Sequence, residues 1–227
     1  MKVKNLMISF VVFFTNTIYA QADFADFIKS IQLGNNDEVS AFIKNGINLN
    51  QLSKRGATPL IYAIWGDNSD VVKLFLENGA DVNLYTDRFG TALHIVAQMG
   101  NLDITRLLVE KRAKLDVQNK EGKTALMEAI YNRHPEQAVY LIRKGAAVNE
   151  TTPEGWTALM FASMTGDSAC VSNLLRAKAD PNIPTASGET PLQRATLLDY
   201  KPIIRMLTEA GGVILAPEVI EVDDDQD

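Results

Sequence analysis

The sequence predicts an all-α fold, a solenoid of helix-turn-helix units joined by β-hairpin finger loops. Two in-phase markers, and the apolar pattern between them, predict it. Thr58-Pro59-Leu60 recurs as Thr91-Ala92-Leu93, Thr124-Ala125-Leu126, Thr157-Ala158-Leu159 and Thr190-Pro191-Leu192, with the threonines 33 residues apart at every step. A second marker keeps the same register: Gly46-Ile47-Asn48-Leu49-Asn50, Gly79-Ala80-Asp81-Val82-Asn83, Gly145-Ala146-Ala147-Val148-Asn149 and Lys178-Ala179-Asp180-Pro181-Asn182. Between the markers, apolar residues fall at helical spacing.

Each element follows from its residues. Threonine before a short apolar stretch offers a hydroxyl to the free amides of a helix start. The first helix of each unit carries small residues (Ala63, Ala97, Ala129, Ala162 and Ala195) that let neighbouring units approach closely. The second helix brings Val71, Val72, Phe75 and Leu76 in one unit and Ile104, Leu107 and Leu108 in the next. Later units supply Leu141 and Ile142, then Val171, Leu174 and Leu175. Gly79 and Gly145 stop that helix where a left-handed residue is needed. Arg112 and Lys178 stand at the same place, where a side chain costs about 1 kcal/mol. Phe89 precedes Gly90 and shifts the Gly-x-Thr order by one, so the tip from Tyr85 to Gly90 is expected to take its own shape.

One helix pair cannot bury its apolar face alone, so stacked neighbours make the core and the end units must be atypical. The expected divisions are residues 23–57 as an N-terminal cap, 58–90, 91–123, 124–156 and 157–189 as internal units, and 190–215 as a C-terminal cap. In the first cap Phe27, Ile31, Phe42 and Ile43 are expected to face inward.

These markers resemble those of the ankyrin repeat family, whose pattern runs from Gly-x-Thr-Pro-Leu-His to Gly-Ala-Asp-Val-Asn, and the resemblance covers residues 23–215. It implies an ankyrin-repeat solenoid of six units acting as a non-catalytic protein-binding module. It also implies a concave groove, lined by the fingers and the exposed side of the first helices, where a partner binds. His94 alone keeps the family's histidine after Thr-x-Leu, which implies an imidazole bonded to Thr91 and nearby backbone.

The chain's ends read differently. Lys2 and Lys4 precede an apolar run from Leu6 to Phe14, and Ile18-Tyr19-Ala20 closes the segment. That order is a secretory leader over residues 1–20, cleaved after Ala20 or after Ala22. Its apolar run is about nine residues, whereas a spanning helix needs roughly twenty. No stable membrane anchor is therefore expected once the leader is removed; an uncleaved anchor is the alternative. The expected destination is outside a bacterial cytoplasm, periplasmic or secreted. Residues 216–227 read as an acidic disordered tail.

The formal charge of −6 argues against retention on nucleic acid, and no such partner is expected. One cysteine and two histidines exclude a disulfide framework and a clustered-thiolate metal site. They leave too little material for a nucleophile and its base, so no catalytic, metal or cofactor-binding residue is assigned. Cys170 aligns with Val71 and Ile104 and reads as a buried, inert thiol, with a reactive one as the alternative. His134, in Arg133-His134-Pro135, reads as a solvated loop residue. Gly122-Lys123-Thr124 imitates the end of a phosphate loop, but Val117 stands where that loop needs glycine.

What remains is surface. The seventh and eighth residues after each threonine read Trp65-Gly66, Gln98-Met99, Tyr131-Asn132, Met164-Thr165 and Leu197-Leu198. The residue before each threonine reads Ala57, Gly90, Lys123, Trp156 and Glu189. A solvent-facing Trp156 with Tyr131 and Met164 is expected to form an apolar spot that Trp65 and Met99 extend. Finger-tip charges, Arg88 among them, would tune partner choice. Trp65, Arg88, Met99, Tyr131, Trp156 and Met164 are thus the expected contacts for an unidentified protein partner of a monomeric chain. Packing between units is the alternative role for the apolar members. Two further functions stay open through the family resemblance: a secreted effector acting on host proteins, and a periplasmic accessory supporting an enzyme in peroxide defence.

Overall fold

The computed structural model describes residues 23–215. The expected leader and the acidic tail lie outside the described residues. Within them the chain forms six helix pairs: α1 (23–33) with α2 (Asn36–Lys44), α3 (Pro59–Trp65) with α4 (Ser69–Glu77), and α5 (Ala92–Met99) with α6 (Leu102–Glu110). The series continues with α7 (Ala125–Tyr131) and α8 (Pro135–Arg143), α9 (Ala158–Thr165) and α10 (Ser168–Arg176), and α11 (Pro191–Leu197) and α12 (Lys201–Glu209). From α3 onward, first helices pack on first helices and second helices on second, giving a two-layered stack. Phe27 joins the first pair to this stack, its ring centroid 5.8 Å from Phe75 and 5.4 Å from Phe42.

Local chemistry sets each helix start. Thr58, Thr124, Thr157 and Thr190 accept on Oγ1 the amides of Ile61, Met127, Met160 and Gln193, at 3.2, 3.4, 3.2 and 3.3 Å. Pro59 and Pro191 sit at the first helical position, where a missing N–H costs nothing. Second helices begin likewise: Asn68, Asn101 and Asp167 accept the amides of Val71, Ile104 and Cys170 at 3.1, 2.8 and 2.9 Å. The five alanines of the first helices are all fully buried. In the Thr91 unit the residue in phase with the other four is Val96, also fully buried, with Ala97 one place further on.

The turn after each second helix is clamped to the next unit. Asn50, Asn83, Asn149 and Asn182 accept on Oδ1 the amides of Asp81, Lys114, Asp180 and Val213 at 2.7 to 2.9 Å. Their Nδ2 atoms donate to the carbonyls of Gly79, Arg112, Lys178 and Gly211. Asp116 takes the fifth place; it accepts the Ala147 amide at 2.7 Å but, as a carboxylate, has no N–H to donate.

The fingers depart from the expected β-hairpins. Among the described residues there is no strand, only an isolated bridge between Thr86 and Gly90. Each finger is instead a tight turn, closed by an amide four residues before the carbonyl it reaches: Ser53 to Ala57, Thr86 to Gly90, Asn119 to Lys123, Thr152 to Trp156 and Thr185 to Glu189. Four residues leave no length for a ladder. The Tyr85–Gly90 tip does differ, since its left-handed residue, Gly90 at φ 69°, comes one place later than Gly56 or Gly122.

Left-handed positions also separate required glycines from tolerated side chains. Arg112 and Lys178 adopt φ 64° and 65° at their helix stops. Gly100 and Gly166 are more constrained, because rings from the following unit lie against them. A Cβ there would sit 2.4 Å from His134 Nδ1 and 2.9 Å from Tyr200 Cζ, respectively. Arg112→Gly and Lys178→Gly should each stabilise the fold by about 1 kcal/mol. Gly100→Ala and Gly166→Ala should destabilise it by more than Gly145→Ala, which meets open space. Urea titrations of the five variants check that order.

Candidate protein-interaction face

Three columns, each repeating every 33 residues, line the side of the stack where finger bases meet first helices. The residue before each threonine gives Ala57, Gly90, Lys123, Trp156 and Glu189; the seventh after it gives Trp65, Gln98, Tyr131, Met164 and Leu197. The column between them, four residues after each threonine, reads Tyr62, Ile95, Glu128, Phe161 and Arg194. It lies outside the residues singled out from the sequence, although the same period marks it.

Phe161 and Arg194 decide the geometry of the larger cluster. The Phe161 ring packs 5.1 Å from Trp156 and 5.9 Å from Tyr131. The Arg194 guanidinium lies 5.3 Å over Trp156, and Lys123 Nζ 4.6 Å over Tyr131. Each cation also holds a carboxylate, Lys123 with Glu121 at 2.8 Å and Arg194 with Glu189 at 2.5 Å. Burial alone would lower the Lys123 pKa; the hydrogen bond it donates to Glu121 and the charge of Glu128 outweigh it and hold the ammonium above its ordinary range. A cleft of 520 Å³ opens beside this cluster, lined by Lys120, Glu121, Lys123, Thr152, Glu154, Trp156 and Phe161.

Trp156 is therefore not the solvent-facing ring expected from sequence. It is half-buried between Phe161 and Arg194, neighbours contributed by the two units that follow its own. Met164 is likewise half-buried against the core. Tyr131, 47% exposed, presents the open aromatic surface here.

A second, smaller cluster forms around Trp65, whose ring meets Tyr62 at 5.3 Å and Phe89 at 5.0 Å, edge to face in both cases. The shifted Gly90 is what puts Phe89 at this finger base, and Arg88 lies 5.2 Å over its ring. Gln98 and the exposed Met99 stand on the unit between the two clusters. Two aromatic patches, with Met99 on the unit between them, thus stand in place of one continuous stripe.

The titratable candidates are engaged in structure. His94 accepts the Thr91 amide on Nδ1 at 3.1 Å, which leaves Nε2 to donate to the carbonyl of Lys123, the last residue of its unit, at 3.1 Å. Burial lowers its pKa. His134 is not a solvated loop residue: its ring covers Gly100, and Nε2 donates to the Gln98 carbonyl at 3.0 Å. Cys170 is fully buried, and burial pushes its thiol far above the usual range. These three groups lie in different units and share no hydrogen bond with one another. Among the described residues no group of three or more His, Cys, Asp or Glu side chains could hold a metal ion, and no helix is long and apolar enough to cross a membrane.

Because folding lowers the His94 pKa, the unfolded chain binds a proton more readily. The stability contributed by neutral His94 is present above its ordinary value of 6.5 and is lost as pH falls through the folded value. Gln193 shows that glutamine serves the same cap, accepting the Thr190 amide at 2.8 Å. His94→Gln should therefore keep the helix start while reducing the loss of stability between pH 7.5 and 5.5, read by urea unfolding at each pH.

Comparison with known proteins agrees with this architecture. Residues 43–88 match a family model described as ankyrin repeats (many copies), and residues 85–152 and 134–216 match one described as ankyrin repeats (3 copies). No curated protein matches the chain. Among solved structures, it is similar to an ankyrin repeat domain from Acinetobacter baumannii AYE, with 28% identity and a TM-score of 0.78 over 83% of this chain and 98% of that one. It is also similar to the ankyrin repeat domain of Bcl-3, described as a unique member of the IkappaB protein family, with 24% identity and a TM-score of 0.74 over 82% of this chain and 86% of that one. With its stacked pairs, threonine caps and clamped turns, the chain belongs to the ankyrin repeat family.

Proposed function

We propose that this chain is an exported, non-catalytic module that grips a protein partner along the face built from its finger bases and first helices. Ankyrin repeats are protein–protein interaction modules, and the partner, the export and the contact residues are this chain's particulars. The observation that carries the reading is the pair of aromatic patches, Tyr62-Trp65-Phe89 and Tyr131-Trp156-Phe161, on one face. Trp65 and Tyr131 are 37% and 47% exposed, so each offers apolar area that folding has not consumed. Aromatic anchors of this kind carry most of the energy in protein interfaces. Exposed Arg88 and the mixed charges of the fingers supply a polar rim that favours one partner over another.

The two rings separate binding from folding. Trp65→Ala combined with Tyr131→Ala should weaken partner capture from a periplasmic extract by tenfold or more, about 1.4 kcal/mol, with little change in the thermal melt. Capture at wild-type strength would sink the assignment of this face. Trp156→Ala is a poorer probe, because losing its contacts with Phe161 and Arg194 also destabilises the fold.

Export rests on the basic and apolar order of residues 1–20. Protein purified from the periplasm or the medium should begin at Gln21 or Asp23 by N-terminal sequencing. A chain found only in the cytoplasm with Met1 intact would overturn export.

A further inference from the structure

The first finger stands apart from the row. A Cβ at Gly90, Gly122 or Gly155 would meet Asn119, Pro153 or Thr185 of the next finger, but one at Gly56 would meet nothing within 4 Å. Toward α1, a cleft of 510 Å³ runs between this finger and that helix. Phe24 and Ile28 of α1 and Tyr62 of α3 form its apolar floor, each less than a tenth exposed, and Leu52, 50% exposed, is its wall. Ala25 lines it and is exposed. Internal bonds fix both sides of the cleft. Ser53 donates its amide to the Ala57 carbonyl at 2.9 Å, and its Oγ accepts the Ala57 amide at 3.2 Å and the Tyr62 hydroxyl at 3.3 Å. On α1 the Phe24 ring lies 6.2 Å from Phe27. A cleft already formed orders little on binding, and its volume falls among those of ligand sites, about 300 to 1,000 Å³.

Charge sets this end of the finger row apart. The column two residues before Ala57 repeats as Arg55, Arg88, Glu121, Glu154 and Ser187, so its sign reverses after the second finger. Lys54 adds a cation beside Arg55, and both line the cleft. Lys54, Arg55 and Arg88 are all exposed, and none takes part in an ion pair among the described residues. Lys123 and Arg194, at the other aromatic patch, are each held by a carboxylate. Asp87 is the single carboxylate on the first two finger tips, and Asp23 and Asp26 of α1 line other clefts.

We infer that this cleft is a peptide-binding site whose ligand is a protein segment with an apolar residue flanked by aspartate or glutamate. The apolar side chain enters over Phe24, Ile28 and Tyr62, against Leu52. Its flanking carboxylates meet Lys54 and Arg55 and, one finger further, Arg88, as charge-assisted hydrogen bonds. Cations on successive units stand about 10 Å apart, the separation of packed helices. One carboxylate cannot serve both places, so the charges fit a chain carrying several acids and not a single fatty acid. Trp65, edge to face with Tyr62 at 5.3 Å, joins the cleft to the first aromatic patch. The inference rests on the finger-side face being the partner-binding face, and it gives the chemistry of the partner at one end of it.

Titrating the mature chain with a labelled hexapeptide, Asp-Glu-Leu-Phe-Glu-Asp, tests the cleft without the partner. Binding should saturate and be at least tenfold tighter than that of Lys-Lys-Leu-Phe-Lys-Lys or Asp-Glu-Ala-Ala-Glu-Asp. It should weaken near 1 M salt, where the screening length falls to about 3 Å. The indole N–H signal of Trp65 should move while that of Trp156 stays. Lys54→Glu with Arg55→Glu should weaken the acidic peptide tenfold or more, and Ala25→Phe should block it; all three side chains are exposed, so the thermal melt should hold. Equal affinity for the acidic and basic peptides overturns the inference, as does a response confined to Trp156. Laurate bound where the peptide cannot displace it overturns it too, by assigning the cleft to a lipid-like anion. If the peptide fails while partner capture still depends on Trp65 and Tyr131, this inference falls and the wider face stands.

Discussion

Everything in this molecule depends on one constraint: a helix pair here has an apolar face that only the next pair can cover. Small or well-fitted residues at the contact (Ala63, Val96, Ala129, Ala162, Ala195) let first helices pack closely, and all are fully buried. Polar bonds then lock the phase. Asn50, Asn83, Asn149 and Asn182 each reach 29 and 31 residues ahead, and His94 reaches the Lys123 carbonyl. An insertion of one residue in any unit would unmake the clamps on both of its sides. The period is thus a consequence of bonds between units more than of any preference inside them.

The parts of the fold legible in the sequence are those whose requirement is local and repeated. A threonine cap needs only its own third amide, and a helix stop needs only a left-handed residue, so each shows up as a column of letters. A further column was equally legible and carries the fingers: Ser53, Thr86, Asn119, Thr152 and Thr185 recur every 33 residues, and each side chain accepts an amide of its own turn. What sequence could not supply was the pairing of unlike columns across units. Trp156 looked exposed because its place holds Lys123 and Glu189 in adjoining units. It is covered because Phe161 and Arg194 arrive from a different column. His134 looked like a loop residue until Gly100, in the preceding unit, supplied the flat surface on which its ring rests.

Separation of labour follows from this geometry. The stack is held by residues that face a neighbouring unit, while Trp65, Met99 and Tyr131 keep more than a third of their surface in solvent. Changes at these exposed positions alter recognition with little effect on the stack, which is why one fold serves unrelated partners. The two aromatic patches differ in kind. The one at Tyr131 is framed by ion-paired cations that fix its rings, whereas the one at Trp65 depends on a finger whose left-handed residue moved by one place to bring Phe89 inward.

Departures from the repeat carry the remaining information. Four of the six second-helix stops are glycine, at Gly46, Gly79, Gly145 and Gly211, as the left-handed backbone there favours. The other two, Arg112 and Lys178, accept a conformational cost of about 1 kcal/mol each. Both are cations and both are exposed. A position filled only to make a turn would be expected to drift toward glycine, or toward asparagine, which tolerates the same backbone. Arginine and lysine at two strained sites two units apart, with Arg143 and Lys144 on the unit between them, place exposed positive charge on three consecutive units where glycine would relieve the strain at two of them.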